Sequence, residues 1–131
     1  MKARTALKQG FTLVEIMIVV AIIGLLAAIA IPNFIKARTT AQKNACINNL
    51  RQIDGAIQQW ALENKQGPAS AVAFTDISGY LKNSVICPSG GTTFQDSYNI
   101  DTVANKPTCK RAPGAGPNDP TAHILTPDTT G

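Results

Sequence analysis

The apolar residues divide the chain into an unbroken apolar run, an amphipathic stretch and a remainder without long periodicity. Residues 11–31 form the run, and Glu15 is its only charged residue. As a helix this segment is about 31 Å long, close to the hydrocarbon thickness of a bilayer. The run therefore predicts a helix that meets a membrane.

A helical pattern resumes after Pro32, with one apolar and one polar side. The apolar positions recur at spacings of three and four: Cys46, Leu50, Ile53, Ile57, Trp60 and Ala61. The polar side is predicted to face solvent and carries Asn48, Asn49, Arg51, Gln52, Gln58 and Gln59. Because Gly67 and Pro68 follow, we expect one helix from about Phe11 to Asn64, with Trp60 in the core.

Gly24 and Pro32 bound the second half of the apolar run. Proline lacks the N–H group that would bond the Ala28 carbonyl, and its ring crowds that turn. The sequence therefore predicts a kink or local melting between Ala28 and Pro32. The alternative is an ordinary helix end at the edge of the bilayer.

The part after the helix carries weaker signals. Residues 76–81 predict a short helix that buries Ile77, Tyr80 and Leu81. Residues 88–91 mark a turn, and the alternation that follows predicts two or three short antiparallel strands over 92–108.

The sequence from Lys110 is rich in Pro, Gly and Thr and predicts an extended, poorly ordered tail. The expected fold class is thus α+β, a long N-terminal α-helix with a small C-terminal domain of short antiparallel strands. The predicted divisions are a leader, an apolar helix, an amphipathic helical half, a small globular region and a flexible tail, at 1–10, 11–31, 32–66, 67–110 and 111–131.

The positive charge is concentrated at the start of the chain. The formal net charge is +4, but Lys2, Arg4 and Lys8 all precede Phe11. Beyond them nine Lys and Arg residues face eight Asp and Glu residues. The basic balance is therefore a targeting feature, and no nucleic-acid partner is expected. Cations before an apolar run predict a cytoplasmic N-terminus, with the following domain outside.

Glu15 decides between three interpretations of the run: a secretory signal peptide, a permanent anchor, and a helix that packs against copies of itself. A carboxylate near the bilayer centre costs roughly 2.5 to 3.5 kcal/mol, so a retained one usually has a partner. The nearest candidate partners are Lys8, about one turn upstream, and a charge created by processing. Cleavage between Gly10 and Phe11 would create an amino group four residues before Glu15. In staggered parallel helices, this amine could meet Glu15 of another copy. The alternative is an interfacial carboxylate that reaches the headgroups.

The stretch Gly10-Phe11-Thr12-Leu13-Val14-Glu15, the basic leader and the apolar run together resemble the prepilin cleavage and methylation signature. Type IV pilins and the pseudopilins of type II secretion systems share it. The resemblance implies cleavage after Gly10, methylation of the new Phe11 amine and a role for Glu15 in subunit register. It also implies loosening of the helix near Pro32.

The function implied by the resemblance is that of a filament subunit without enzymatic activity. It favours a major pseudopilin of a type II secretion system, with a type IV pilin for adhesion, motility or DNA uptake as the alternative. A membrane-anchored or secreted small binding domain is the remoter alternative.

The resemblance also implies partners and a location. The partners are other copies of the chain, a prepilin peptidase, an inner-membrane platform protein, an assembly ATPase and minor pilins or pseudopilins. The chain would cross the inner membrane once with its C-terminal domain in the periplasm, and the filament would be periplasmic or on the cell surface.

Three cysteines lie in the domain that is expected outside the cytoplasm, where disulfides can form. Cys87 precedes the turn and Cys109 follows the last strand signal, so we favour a Cys87–Cys109 disulfide. Cys46 lies on the apolar side of the helix and is expected to be a buried free thiol. Pairing of Cys46 with either of the others stays open.

The sequence predicts no catalytic site and neither a metal nor another cofactor. The cysteines and His123 could in principle hold zinc, but no two of them have the short spacing of structural zinc sites. His123, the only histidine, falls in the expected tail and makes a poor catalytic base. Asp96, Asp101 and Asp119 could be considered for calcium but lack a calcium-loop spacing, so solvated turn residues are expected.

Overall fold

The computed structural model describes residues 9–82, 85–112 and 122–125. The chain consists of two units, Met1–Ala37 and Arg38–Gly131. Helix α1, Leu13–Glu63, contributes residues to both units.

Helix α1 has 51 residues and confirms the predicted helix to within two residues at each end. It begins after Thr12, whose Oγ1 accepts a hydrogen bond from the Glu15 N–H group at 3.2 Å, a side-chain cap. Pro32 lies inside the helix, which continues through it without interruption, so local melting is not seen in the single chain. The bend at Pro32 stays a prediction.

The first unit presents a large apolar surface. Most of the large apolar side chains between Leu13 and Ile35 are more than half exposed, for example Leu26 at 61%. Among the described residues, α1 is the one helix that is long and apolar enough to cross a membrane. Exposure of so large an apolar surface to water is unfavourable. The surface and the apolar composition of the helix therefore fit membrane anchoring.

The second unit is built on one stripe of α1. The residues of α1 that are buried are Cys46, Leu50, Ile53, Ala56, Ile57 and Ala61. The predicted apolar side is therefore confirmed, except that Trp60 is only half-buried at its edge. Asn49 departs from the predicted solvated side, because its Nδ2 donates to the Tyr98 hydroxyl at 2.9 Å and to the Ile86 carbonyl at 3.0 Å.

Short elements cover this stripe. Helix α2, Phe74–Ile77, continues into a 3₁₀ turn, Ser78–Tyr80. Ile77 is fully buried as predicted, whereas Tyr80 and Leu81 are half-buried against the core. The predicted short helix is thus present in two parts.

A two-stranded antiparallel sheet follows helix α3, Phe94–Ser97. Strands β1, Tyr98–Asn99, and β2, Thr108–Cys109, pair Tyr98 with Cys109. The sheet confirms the α+β class. The first strand begins later than expected because residues 94–97 form α3, which Thr93 caps, its Oγ1 accepting from the Asp96 N–H group at 3.2 Å.

Part of the predicted tail is packed. Of the segment beyond Ala112, the structure describes residues 122–125. Ala122 and His123 are buried there, and Ile124 forms an isolated bridge with Thr108 of β2. These four residues differ from the expected poorly ordered tail, because the free edge of β2 gives their backbone a hydrogen-bonding partner. The prediction for 113–121 and 126–131 lies outside the described residues.

A tight turn before α3 fixes the backbone of Cys87. The Gly91 N–H group donates to the Cys87 carbonyl at 2.9 Å, and Gly90 adopts a φ of 101°. The buried Ser97 hydroxyl accepts from the Cys87 N–H group at 3.0 Å and donates to the Thr93 carbonyl at 2.6 Å. A β-carbon at Gly91 would overlap Ser97 Oγ, so this turn requires glycine.

We therefore expect Gly91→Ala to lower the free energy of unfolding of the second unit by about 1 to 3 kcal/mol, the usual cost of overpacking a tight site. The measurement is denaturant unfolding of the full chain in detergent micelles, followed by Trp60 fluorescence. Gly79→Ala is the control, since an added β-carbon there meets nothing within 4 Å. Equal effects of the two substitutions would contradict the packing argument.

Candidate functional site

The predicted cleavage bond, between Gly10 and Phe11, lies in an exposed segment before α1. Residues 9–12 lie outside regular secondary structure and are exposed, with Phe11 at 82%. A β-carbon at Gly10 would meet nothing within 4 Å. The chain itself therefore does not require glycine at this position, and any such requirement must come from an enzyme that binds the segment.

Glu15 lies in the first turn of α1, where a carboxylate interacts favourably with the N-terminal end of the helix dipole. Its N–H group is bonded to Thr12, and its side chain is exposed. The two ion pairs found among the described residues, Lys106–Asp54 and Arg111–Asp96, do not include it. The carboxylate is thus placed at the surface of the helix, where a second molecule has access to it.

A second site lies in the core of the other unit, where four side chains form what we call the thiol cluster: Cys46, Cys87, Cys109 and His123. Helix α1, the turn before α3, strand β2 and the segment 122–125 each supply one residue. The sulfur atoms and a ring nitrogen of the histidine all lie within 4.8 Å of one another. All four residues are buried, His123 being 6% exposed.

The sulfur atoms are close but not bonded. Cys87 Sγ lies 3.5 Å from Cys109 Sγ and 3.6 Å from Cys46 Sγ, whereas a disulfide bond measures about 2.05 Å. All three cysteines are free thiols. The predicted neighbours Cys87 and Cys109 are indeed adjacent, but their disulfide is not confirmed. Cys46 is buried as expected, at almost the same distance from Cys87.

Burial sets the electrostatics of the thiol cluster. It raises the pKa of the Cys46 thiol, and a hydrogen bond with Cys109 adds to this rise. Burial also raises the pKa of Cys109, whereas hydrogen bonds from Cys46 and from the backbone N–H groups of Ala112 and Arg111 lower it. Without a metal, Cys46 and Cys109 are therefore neutral thiols at pH 7.

His123 carries an unsatisfied polar atom. Burial and the nearby positive charge of Lys43 lower the pKa of the imidazole, so the ring is neutral. Its Nδ1 is buried and has no hydrogen-bond partner among the described residues. Such an atom is uncommon, because leaving it unpaired costs about 1 to 3 kcal/mol.

Spacing in the sequence did not reveal this cluster. The spacing argues against zinc because no two of the ligands are close in the sequence, and the composition around His123 predicts a tail. The structure brings the four residues together through long-range packing on α1, which local patterns do not encode. The remaining signal was the position of Cys46 at the centre of the apolar stripe.

The candidate calcium residues have local partners instead. Asp96 pairs with Arg111 and accepts from the Thr92 N–H group at 3.2 Å. Asp101 accepts from Asn105 Nδ2 at 2.9 Å. Asp119 lies outside the described residues. The two described carboxylates are thus engaged by groups of the chain itself.

Comparison with known proteins identifies relatives. The family model of the prokaryotic N-terminal methylation motif matches residues 6–31. The competence protein ComGC of Bacillus subtilis is 35% identical over 83 residues, which are 63% of this chain and 84% of ComGC. The type IV major fimbrial protein FimA of Dichelobacter nodosus is 34% identical over 96 residues, 73% of this chain and 58% of FimA.

The type II secretion system core protein G of Klebsiella pneumoniae is 33% identical over 63 residues, 48% of this chain and 45% of that protein. No solved structure matches the chain. The relatives are structural pilin or pseudopilin subunits and not enzymes. The methylation motif, the long apolar helix, the small antiparallel sheet and these relatives together show that the chain belongs to the type IV pilin-like family.

Proposed function

We propose that the chain is a subunit of a helical filament, made as a membrane-bound precursor, cleaved between Gly10 and Phe11 and assembled through α1. The observation that carries this proposal is the exposed apolar surface of residues 13–35, directly after an accessible Gly10–Phe11 bond. Lipid covers this surface before assembly, and other copies of the same helix cover it in the filament.

In the membrane, the basic leader stays in the cytoplasm and the second unit lies in the periplasm. Supporting this orientation, Lys2, Arg4 and Lys8 precede the apolar run, which itself contains no cation. The precursor is a single-pass protein of the inner membrane. A prepilin peptidase removes residues 1–10 and methylates the Phe11 amine, which keeps its positive charge.

Glu15 sets the register between copies. In the filament its exposed carboxylate pairs with the Phe11 amine of a neighbouring copy, so that neither charge is buried alone among apolar side chains. The ordered contact between Thr12 and Glu15 holds the start of α1 in one geometry. The Phe11 amine exists only after cleavage. The uncut precursor therefore cannot form the pair and does not assemble.

Gly24 and Pro32 allow α1 to change shape on assembly. Pro32 leaves the Ala28 carbonyl without its usual helical partner, so the helix is weakest in this turn. We propose that the segment between Gly24 and Pro32 bends or loosens in the filament, where contacts with other copies offset the lost hydrogen bonds.

Filament assembly also requires partner proteins. These are a platform protein in the inner membrane, an assembly ATPase and minor pilins or pseudopilins, which together form the assembly machine.

Among such machines we favour a type II secretion system, in which the chain is the major pseudopilin of a short periplasmic filament. The small second unit and the similarity to core protein G support this choice. A type IV or competence pilus is the second candidate, supported by the 84% of ComGC that the chain covers. Deletion of the gene separates the two: loss of protein secretion with surface fibres retained supports the pseudopilus, and the converse supports the pilus.

Cleavage is tested by Gly10→Leu. Because the chain itself has room for a side chain at Gly10, we expect this variant to insert in the membrane but to stay uncut, since a bulky residue no longer fits the peptidase. Intact mass and N-terminal sequencing should give methylated Phe11 as the first residue of the wild type. Gln9→Leu is the matched control and should be cut. A mature N-terminus elsewhere, such as Ile31, would refute the proposed processing.

Assembly is tested by separating the charge of Glu15 from the capping of α1. Glu15→Gln removes the charge but keeps a side chain that fits the same helix-start geometry. Thr12→Ala removes the cap, at a cost of about 1 kcal/mol, and keeps the charge. We expect both variants to insert and be cut, but only Glu15→Gln to lose filaments by electron microscopy of the filament fraction. Filaments of normal yield from Glu15→Gln would contradict the ion-pair account.

A further inference from the structure

We propose that the thiol cluster binds one zinc ion, through the sulfur atoms of Cys46, Cys87 and Cys109 and a ring nitrogen of His123. The site lies in the second unit, apart from the residues that carry filament assembly in our account. Its ligands come from four separate parts of the chain. It would be a closed structural site, because all four coordination positions are filled by protein.

The sulfur positions fit tetrahedral zinc. Zinc–thiolate bonds of about 2.3 Å arranged tetrahedrally place neighbouring sulfur atoms about 3.8 Å apart. The two distances from Cys87, 3.5 and 3.6 Å, lie close to this value and far from a disulfide bond of about 2.05 Å. Three sulfur atoms around one centre thus match a metal site better than a covalent pair with a spare thiol.

The histidine supplies independent support. His123 is 6% exposed, and its buried Nδ1 has no partner among the described residues. A disulfide between any two of the cysteines leaves this histidine without a role. A zinc ion uses the neutral ring as its fourth ligand, and a set of three thiolates and one imidazole is common in structural zinc sites.

The surroundings are suited to bound thiolates. Backbone N–H groups of Ala112 and Arg111 reach the Cys109 sulfur, and donors of this kind stabilise metal-bound sulfur. Three thiolates and Zn²⁺ carry a net charge of −1. The positive side chains of Lys43, near His123, and of Arg111, near Cys87 and Cys109, lie close to this charge, and Arg111 is also paired with Asp96. A groove beside the cluster offers an entry path, lined by Thr39, Gln42, Lys43, Ser89, Ala112 and His123.

Binding would proceed without redox chemistry. Each cysteine loses its thiol proton to solvent as its sulfur bonds to zinc, and no electron is transferred. The ion then joins α1, the turn at Cys87, strand β2 and the segment 122–125 at one point. Because the unfolded chain lacks the preformed site, the binding free energy adds directly to the stability of the second unit.

The test uses the purified full chain in detergent micelles, isolated without reductant, with metal content measured by mass spectrometry. We expect one zinc per chain and three thiols that react only after denaturation with a chelator. After removal of zinc under reducing, anaerobic conditions, one equivalent of Co²⁺ should restore thiolate-to-cobalt charge-transfer and tetrahedral d–d absorption. Zn²⁺ should displace it.

Three variants identify the ligands. Cys109→His exchanges one ligand for another and should keep the metal while lowering the charge-transfer intensity by about a third, as one of three thiolates is lost. His123→Ala should weaken cobalt binding at least about tenfold, as expected for the loss of one ligand. Val103→Ala shortens a buried apolar side chain outside the ligand set and should leave affinity within about twofold. Circular dichroism of each variant checks that it is folded.

A disulfide in the chain isolated without reductant, with a single thiol left, would overturn the proposal. So would a reduced, folded chain that binds Co²⁺ without a thiolate band, or a Val103→Ala variant that loses metal as severely as His123→Ala. These measurements read metal binding by the purified chain. They stand or fall independently of whether the chain forms filaments.

Discussion

The second unit depends on the burial of one stripe of α1, because the elements that pack on this stripe are too short to be stable alone. Helices α2 and α3 have four residues each, and strands β1 and β2 have two residues each. Isolated helices of that length do not persist in water, and a lone two-stranded sheet is marginal at best. The fully buried Leu50 and Ile53 give these segments a common apolar surface, and Cys46 brings α1 into the thiol cluster.

The two halves of α1 satisfy opposite demands with one helical backbone. The first half leaves its apolar side chains uncovered, so it needs lipid or further copies of itself. The second half covers its apolar stripe within its own chain. The filament subunit that we propose needs this division, since the apolar surface of the first half has to stay available until cleavage while the second unit is already folded. The polar groups of the two halves differ in the same way. The Glu15 carboxylate at the start of α1 is exposed, whereas the thiol cluster is buried in the core of the second unit.

The sequence was sufficient to predict what local patterns encode. The buried stripe of α1 follows from helical periodicity, the start of the helix from the apolar run at Phe11, and its end from Gly67 and Pro68. The strands were harder, because the spacing of Phe94 and Tyr98 fits both an alternating strand and one helical turn. The partners of Asn49 and the burial of His123 arise from contacts between distant segments. For the same reason, the sequence predicts that the cysteines lie in a small domain outside the cytoplasm, where disulfides can form. It does not predict that they surround one centre.

Among the described residues, the helix and strands next to the thiol cluster other than α1 are two to four residues long, so in our proposal a bound zinc ion stabilises the second unit. X-ray absorption at the zinc edge, on the full chain isolated without reductant, tests this account most directly. The expected spectrum shows each zinc ion with three sulfur neighbours at about 2.3 Å and one nitrogen neighbour at about 2.0 Å. A sample with no bound zinc and a covalent sulfur–sulfur bond would contradict it, and would show that the second unit is fastened by a disulfide instead.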